Sequence, residues 1–141
     1  MYVLDTNVVS EIRKIRAGRA NPGVEDWIRR TPTGLTFVSV ITIHELEHGV
    51  QLIERRDQEG GAVLRKWLDH NVFGAFKQRI LPIDTNVARL AAALHVPDPA
   101  PVNDAFVAAT AMAGGMAVVT RNQGDFERFD QLQVVNPWSP D

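Results

Sequence analysis

Five short apolar runs of strand-forming residues alternate with stretches of helical periodicity along this chain. The predicted strands cover residues 2–4, 35–40, 80–83, 116–119 and 132–135. Strands that alternate with helices form parallel sheets whose two faces are covered by helices. The sequence therefore predicts an α/β fold, in which residues 1–141 form a single three-layer α/β/α domain. Its central parallel sheet has about five strands, and residues 136–141 form an irregular tail.

Capping residues and glycines divide the helical stretches. The first helix is predicted to follow Asp5 and to run to about residue 17. Thr42 and Glu45 have the spacing of a capping box at the start of another helix. Gly60-Gly61 is expected to interrupt the helical pattern that continues to about residue 77, and Gly114-Gly115 to end the helix that begins at residues 103–104.

Composition excludes several classes of protein. Cysteine is absent, so a disulfide framework and thiolate chemistry are excluded. The N-terminus shows no secretory signal, and the longest uncharged run, residues 105–120, is shorter than the ~20 apolar residues of a membrane span. We therefore expect a cytoplasmic protein without membrane contact.

The charge balance bears on nucleic-acid binding. A formal net charge of -2 argues against a nonspecific nucleic-acid binder, but an acidic metal pocket with a local basic rim gives the same sum. A solvated helix face explains the basic residues of such a rim equally well; they are Arg13, Lys14, Arg16, Arg19, Arg29 and Arg30.

Four carboxylates stand at the ends of predicted elements. Asp5 follows the first strand, Glu45 lies early in the helix after the second, Asp104 opens a helix, and Asp125 follows the fourth strand. Each acid alone is also explained by helix capping or by the helix dipole. If all four project to one sheet edge, they repel each other unless a cation compensates. Oxygen ligands favour Mg²⁺ or Mn²⁺ as that cation.

Four segments in order carry a family resemblance: residues 2–11 (YVLDTNVVSE), 39–49 (SVITIHELEHG), 104–111 (DAFVAATA) and 119–126 (VTRNQGDF). In these segments the sequence resembles PIN-domain ribonucleases, in particular the VapC-type toxins of type II toxin–antitoxin systems. The resemblance departs from the usual pattern at His44, where a small residue is common, and at residues 96–101, where many relatives carry a basic residue.

The resemblance implies a function and a set of site residues. It implies an endoribonuclease that hydrolyses RNA phosphodiester bonds with Mg²⁺ or Mn²⁺. A VapB-like antitoxin, whose tail enters the acidic cleft, would hold it inactive, and it would form a homodimer. The implied metal-binding and catalytic residues are Asp5, Glu45, Asp104 and Asp125, and the implied supporting residues are Thr6, Asn7, Thr120 and Asn122.

Two other functions remain open at the level of sequence. Residues 44–48 match H-E-x-x-H, in which His44 and His48 would bind zinc in a metalloprotease and Glu45 would activate water. That interpretation lacks a third ligand and leaves the three aspartates unexplained. The other alternative is a PIN-like module that binds RNA or an antitoxin without cutting. Asp84, which also follows a strand, is interpreted as a helix cap.

Overall fold

A five-stranded parallel sheet lies at the centre of the computed structural model, which describes residues 1–139. Each pair of neighbouring strands is parallel, and the spatial order is β3-β2-β1-β4-β5. The strands are β1 (Tyr2–Leu4), β2 (Thr36–Ser39), β3 (Ile80–Leu81), β4 (Ala117–Val119) and β5 (Val134–Val135). This arrangement confirms the predicted α/β class and the number of strands.

Helices cover both faces of the sheet. They are α1 (Thr6–Ile12), α2 (Pro22–Arg30), α3 (Val40–Arg56), α4 (Gln58–Lys66), α5 (Phe73–Ala75), α6 (Thr85–Ala93), α7 (Val102–Ala113) and α8 (Gln123–Phe126). A single 3₁₀ turn (Thr33–Leu35) precedes β2, and a π-helical segment (Trp67–Val72) joins α4 to α5.

Two apolar clusters lie on opposite faces of the sheet, because successive side chains of a strand point in opposite directions. Leu4 and Val119 pack into one cluster together with Trp27 of α2 and Leu46 of α3. Their neighbours in the strands, Val3 and Val118, pack into the other with residues of α7 and α8. The three-layer prediction is thus confirmed. Trp27 and Phe76 are buried in the core, and Trp67 is partly buried against it.

Helix α3 begins one turn earlier than the predicted capping box allows. Ser39 is the cap, and its Oγ accepts a hydrogen bond from the backbone N–H of Ile41 at 3.0 Å. Thr42 consequently lies inside the helix and is fully buried. The predicted capping box of Thr42 and Glu45 is therefore wrong, and both side chains are available for contacts with other elements.

The glycine pair Gly60-Gly61 lies inside a helix instead of interrupting one. The break comes earlier, at Asp57, which ends α3 and caps α4. A Cβ atom on Gly61 would lie 2.5 Å from the Cα of Glu54, so the close approach of α3 and α4 requires glycine there. The prediction for the first helix was also too long, since α1 ends at Ile12 and turns follow it.

The chain after β5 folds back towards α2. Residues 136–139 contain neither helix nor strand, as predicted for the tail, and residues 140–141 lie outside the described part of the chain. A Cβ atom on Gly23 would lie 2.2 Å from the carbonyl oxygen of Pro137, so the tail sits directly on the start of α2. None of the helices between residues 1 and 139 is long and apolar enough to cross a membrane.

Candidate active site

Three neighbouring strands bring the predicted site residues to one edge of the sheet. Strand β1 lies between β2 and β4, and the carboxyl ends of parallel strands meet at the same edge. Asp5 directly follows β1 and Thr120 directly follows β4, while α3 starts after β2 and carries Glu45. Ligands of open parallel α/β sheets bind at this edge.

Asp5 is buried at the centre of this edge, and both of its oxygens accept hydrogen bonds. Its Oδ1 accepts from the backbone N–H of Thr6 at 2.9 Å. Its Oδ2 accepts from the hydroxyl of Thr120 at 2.8 Å and from Nδ2 of Asn7 at 3.3 Å. Asp5 therefore caps α1 and also belongs to the site. Burial raises the pKa of Asp5 above its ordinary value, although these hydrogen bonds oppose the increase.

Glu45 is oriented by two neighbours. The hydroxyl of Thr6 lies 2.6 Å from Oε1 of Glu45, and Nδ2 of Asn103 lies 3.4 Å from Oε2. The hydroxyl of Thr42 completes the group at 3.3 Å from the Thr6 hydroxyl. Thr6 thus links Asp5 to Glu45 through its backbone and its side chain.

Thr42 and Asn103 were not predicted as site residues. The sequence contains a signal for each of them, because Thr42 lies three residues before Glu45 on the same helix face and Asn103 precedes Asp104.

Asp104 lies in the first turn of α7 and is partly buried. Burial and the negative charges of Asp5, Asp125 and Glu45 raise the pKa of Asp104 to about 6. Since the charges of the other three acids all act on Asp104, the four predicted carboxylates lie near one another. Asp125, on the short helix α8, is the exposed member of this group.

None of these four acids forms an ion pair within residues 1–139. The arginines and lysines that pair with acids elsewhere use Glu11, Glu25, Asp26, Glu47, Glu54 and Asp69. Partly buried carboxylates without basic partners fit a hard cation that prefers oxygen ligands. Within residues 1–139 no three acidic or histidine side chains are placed to hold one metal ion together. An ion bound by fewer side chains would complete its shell with water, as Mg²⁺ commonly does.

The remaining predicted residues form a hydrogen-bonded rim around Asp5. Nδ2 of Asn7 lies 3.3 Å from the Thr120 hydroxyl, and Oδ1 of Asn7 accepts from the backbone N–H of Arg121 at 3.1 Å. The Thr120 hydroxyl accepts from the backbone N–H of Asn122 at 3.0 Å. Asn122 therefore contributes through its main chain, and these contacts join α1 to the segment after β4.

His44 and His48 lie outside this group. Both are exposed on α3. Glu47, on the same helix face, has both carboxylate oxygens bound by Arg65 at 2.8 and 2.6 Å. Because Glu45 is held by Thr6 and no third ligand accompanies the two histidines in the described residues, this geometry does not support a zinc protease. Asp84 is a helix cap as predicted, since its Oδ1 accepts from the backbone N–H of Val87 at 2.9 Å.

Thr6→Val removes the hydroxyl that orients Glu45 while it preserves the shape of the side chain. We expect kcat for the reaction proposed below to fall about 10–100-fold, because outer-shell partners of metal ligands have effects of this size. Thr6→Ser keeps a hydroxyl and should retain most of the activity. Steady-state kinetics with melting curves of both variants provide the measurement. Equal losses of activity in the two variants would show that this hydroxyl does not orient Glu45.

Fold and acid cluster together define an α/β domain with a group of carboxylates at the carboxyl edge of its sheet. The family model described as PIN domain matches residues 2–132. The chain therefore belongs to the PIN-domain family.

Two bacterial relatives align with almost the whole chain. Plasmid stability protein StbB of Pseudomonas syringae pv. tomato is 35% identical, covering 98% of this chain and 99% of the relative. The VapC ribonuclease Y4jK of Sinorhizobium fredii is 33% identical and covers 99% of each chain.

A third relative has a solved structure. Toxin FitB of Neisseria gonorrhoeae is 33% identical over 98% of this chain and 99% of its own length. The crystal structure of FitAcB from the same organism superposes with a TM-score of 0.87 at 32% identity, covering 98% of this chain and 99% of that one. The two chains thus share their fold over almost their whole length.

Proposed function

We propose that this protein is an endoribonuclease that depends on Mg²⁺ or Mn²⁺ and hydrolyses RNA phosphodiester bonds. The observation that carries the proposal is a group of four carboxylates at the carboxyl edge of the sheet that form no ion pair within residues 1–139: Asp5, Glu45, Asp104 and Asp125. A relative that is named a VapC ribonuclease aligns over 99% of the chain. The catalytic domain comprises residues 1–141, including the tail.

Each site residue has a role in this proposal. The carboxylates of Asp5, Glu45, Asp104 and Asp125 would hold the ion. When bound, the ion supplies a Lewis acid for the scissile phosphate and lowers the pKa of a bound water. Thr120, Asn7 and Thr6 fix the orientation of Asp5, and Thr6 with Asn103 fixes that of Glu45. The partly buried Asp104 would bind the ion in its ionised form, and the positive charge would offset the burial and the repulsion that raise its pKa.

A toxin role and its partners are part of the same proposal. A relative is named toxin FitB, and it matches this chain over 99% of its length. We infer that the protein acts on RNA in the cytoplasm, forms a homodimer and is held inactive by a VapB-like antitoxin. Expression of the protein alone should arrest cell growth, and co-expression with a cognate VapB-like antitoxin should restore it.

Cleavage of a mixed RNA pool by the purified protein tests the proposal. With Mg²⁺ or Mn²⁺ we expect endonucleolytic fragments, and with EDTA or with Asp5→Asn we expect intact RNA. The asparagine can still cap α1, so the variant should remain folded. Melting curves check this point.

Two results would contradict the proposal. Zinc-dependent cutting of casein that His48→Ala abolishes would establish a protease. Tight RNA binding without cleavage, by protein free of antitoxin and supplied with Mg²⁺ or Mn²⁺, would identify a module that binds RNA without cutting it.

A further inference from the structure

The main chain of Arg121 is hydrogen-bonded to a residue that contacts Asp5. Arg121 follows Thr120 in the chain, and its backbone N–H donates to Oδ1 of Asn7 at 3.1 Å. Thr120 and Asn7 both donate to Oδ2 of Asp5. The main chain of Arg121 is therefore held two hydrogen bonds away from the central carboxylate, while its residue surface is exposed to solvent.

The guanidinium of Arg121 lies against the indole ring of Trp138, with its Cζ 5.6 Å from the ring centroid. Trp138 is itself well fixed. It packs against the apolar cluster that contains Leu4, and its backbone N–H donates to Oδ1 of Asn136 at 3.0 Å. The contact of the tail with Gly23 holds the same segment from the other side. Stacking on a fixed ring restricts the guanidinium and leaves its N–H groups free at the edge.

The charge of Arg121 is not neutralised by an ion pair. Within residues 1–139 its guanidinium forms no salt bridge and donates no hydrogen bond. Of the residues of the predicted basic rim, Lys14 pairs with Glu11, Arg29 with Glu25 and Arg30 with Asp26, whereas Arg13, Arg16 and Arg19 form no ion pair in the described residues. Within residues 1–139 Arg121 thus presents a restricted cation without an ion pair, whose charge acts on Glu11 at the end of α1.

An acidic site that cuts RNA needs a cation to attract the strand. Carboxylates repel phosphate wherever no ion lies between them. A guanidinium matches a phosphate with two parallel hydrogen bonds and suits this task better than an ammonium group. The stacked Arg121 can supply both hydrogen bonds at the edge of the site.

We propose that Arg121, stacked on Trp138, is a subsite that binds a backbone phosphate of the RNA next to the scissile one. In this subsite Arg121 contacts the substrate and Trp138 is a positioning residue. The inference rests on the proposed ribonuclease function and adds a binding residue outside the four acids.

RNA binding at several salt concentrations tests the subsite apart from cleavage. The parent is Asp104→Asn, which we expect to cut RNA too slowly to disturb a binding measurement, and the probe is a fluorescein-labelled single-stranded RNA 20-mer of randomised sequence. Adding Arg121→Gln should weaken binding about tenfold at low salt. It should also reduce the slope of log Kd against log salt by about 0.7, the value for one phosphate contact on a single strand.

Further variants separate a phosphate contact from a structural role. Arg56→Gln removes the same charge from an exposed position about 16 Å along α3 from Glu45, and it should leave both the affinity and the salt slope unchanged. Arg121→Lys should keep the slope but bind more weakly than the parent. Trp138→Leu should weaken binding about threefold without changing the slope, since the cation remains. In the active enzyme, Arg121→Gln should raise KM and leave kcat unchanged.

The outcomes distinguish this inference from the proposed function. Equal affinities and slopes for Arg121→Gln and Arg56→Gln would overturn the subsite, as would a parent that binds no RNA. If the unmodified protein does not cut RNA but its RNA binding still depends on Arg121, the phosphate contact of Arg121 stands and the ribonuclease proposal fails.

Discussion

Asp104→Asn should reduce kcat/KM for RNA cleavage by about 10²–10³-fold, the range found when one group that stabilises developing charge is removed. Asparagine has nearly the same shape but carries no charge for the ion. The measurement is cleavage of the RNA substrate at saturating Mg²⁺ or Mn²⁺. Asp84→Asn is the matched control, because Asp84 also stands between a strand and a helix and only caps α6. Asparagine is an equally good cap, so this control should keep full activity.

The same substitution should stabilise the ion-free protein at neutral pH. Burial and three neighbouring acids raise the pKa of Asp104 from 3.8 to about 6, so the folded state binds a proton more tightly than the unfolded state. Above pH 6 both states are ionised and the folded state carries the full electrostatic penalty; below pH 4 both are protonated and the penalty disappears. For this partly exposed group we estimate a gain of about 1–2 kcal/mol after solvent screening.

Urea denaturation in EDTA at pH 4 and pH 7.5 measures this gain. The stability difference between Asp104→Asn and the unmodified protein should be close to zero at pH 4 and reach its maximum at pH 7.5. A variant that is active, or one that gains nothing at pH 7.5, would show that Asp104 does not share a site with the other acids.

Binding of Mg²⁺ or Mn²⁺ should raise the melting temperature of the protein by roughly 10 °C at an ion concentration about one hundred times Kd. A ligand that binds only the folded state stabilises it by about 2.7 kcal/mol under these conditions. For a domain of this size that free energy corresponds to a shift of this order. Part of this stabilisation would come from relief of the repulsion among four acids that only the folded state brings together: Asp5, Glu45, Asp104 and Asp125.

Protons should compete with the ion for the same carboxylates. The pKa of Asp104 is about 6 and that of Asp5 is also raised, so the melting shift should be smaller at pH 5 than at pH 7.5. The shift should disappear in Asp5→Asn and persist in Asp84→Asn. An equal shift in all three proteins would place the ion elsewhere on the surface.

Local sequence was sufficient to predict the strands and the acids at their ends. Asp5, Asp84 and Asp104 are found where the change from a strand or loop to a helical pattern predicts them. Parallel topology then brings Asp5 and Glu45 together without further information. The sequence left capping and a site role as alternatives for Asp5. In the structure one carboxylate does both, since its Oδ1 caps α1 and its Oδ2 accepts a hydrogen bond from Thr120.

Two features depended on packing between elements that are distant in sequence. Ser39 and Thr42 are both good caps, and the choice between them is made by the burial of Thr42 beside Thr6, which lies 36 residues away. Gly61 resembles a helix breaker in sequence but provides room for the backbone of Glu54. In both cases the local preference allows two outcomes, and a contact between elements selects one.

Strand β1 has a consequence for the synthesis of the protein. The first strand made lies at the centre of the sheet, and its partner β4 is residues 117–119. The hydrogen bond between Asp5 and Thr120 closes a loop of 115 residues. A ribosome must therefore translate the chain at least as far as residue 120 before Asp5 meets Thr120, and contacts this far apart form late. A nascent chain that stops before β4 lacks the assembled centre, so the cell meets the assembled centre only after residue 120 has been made.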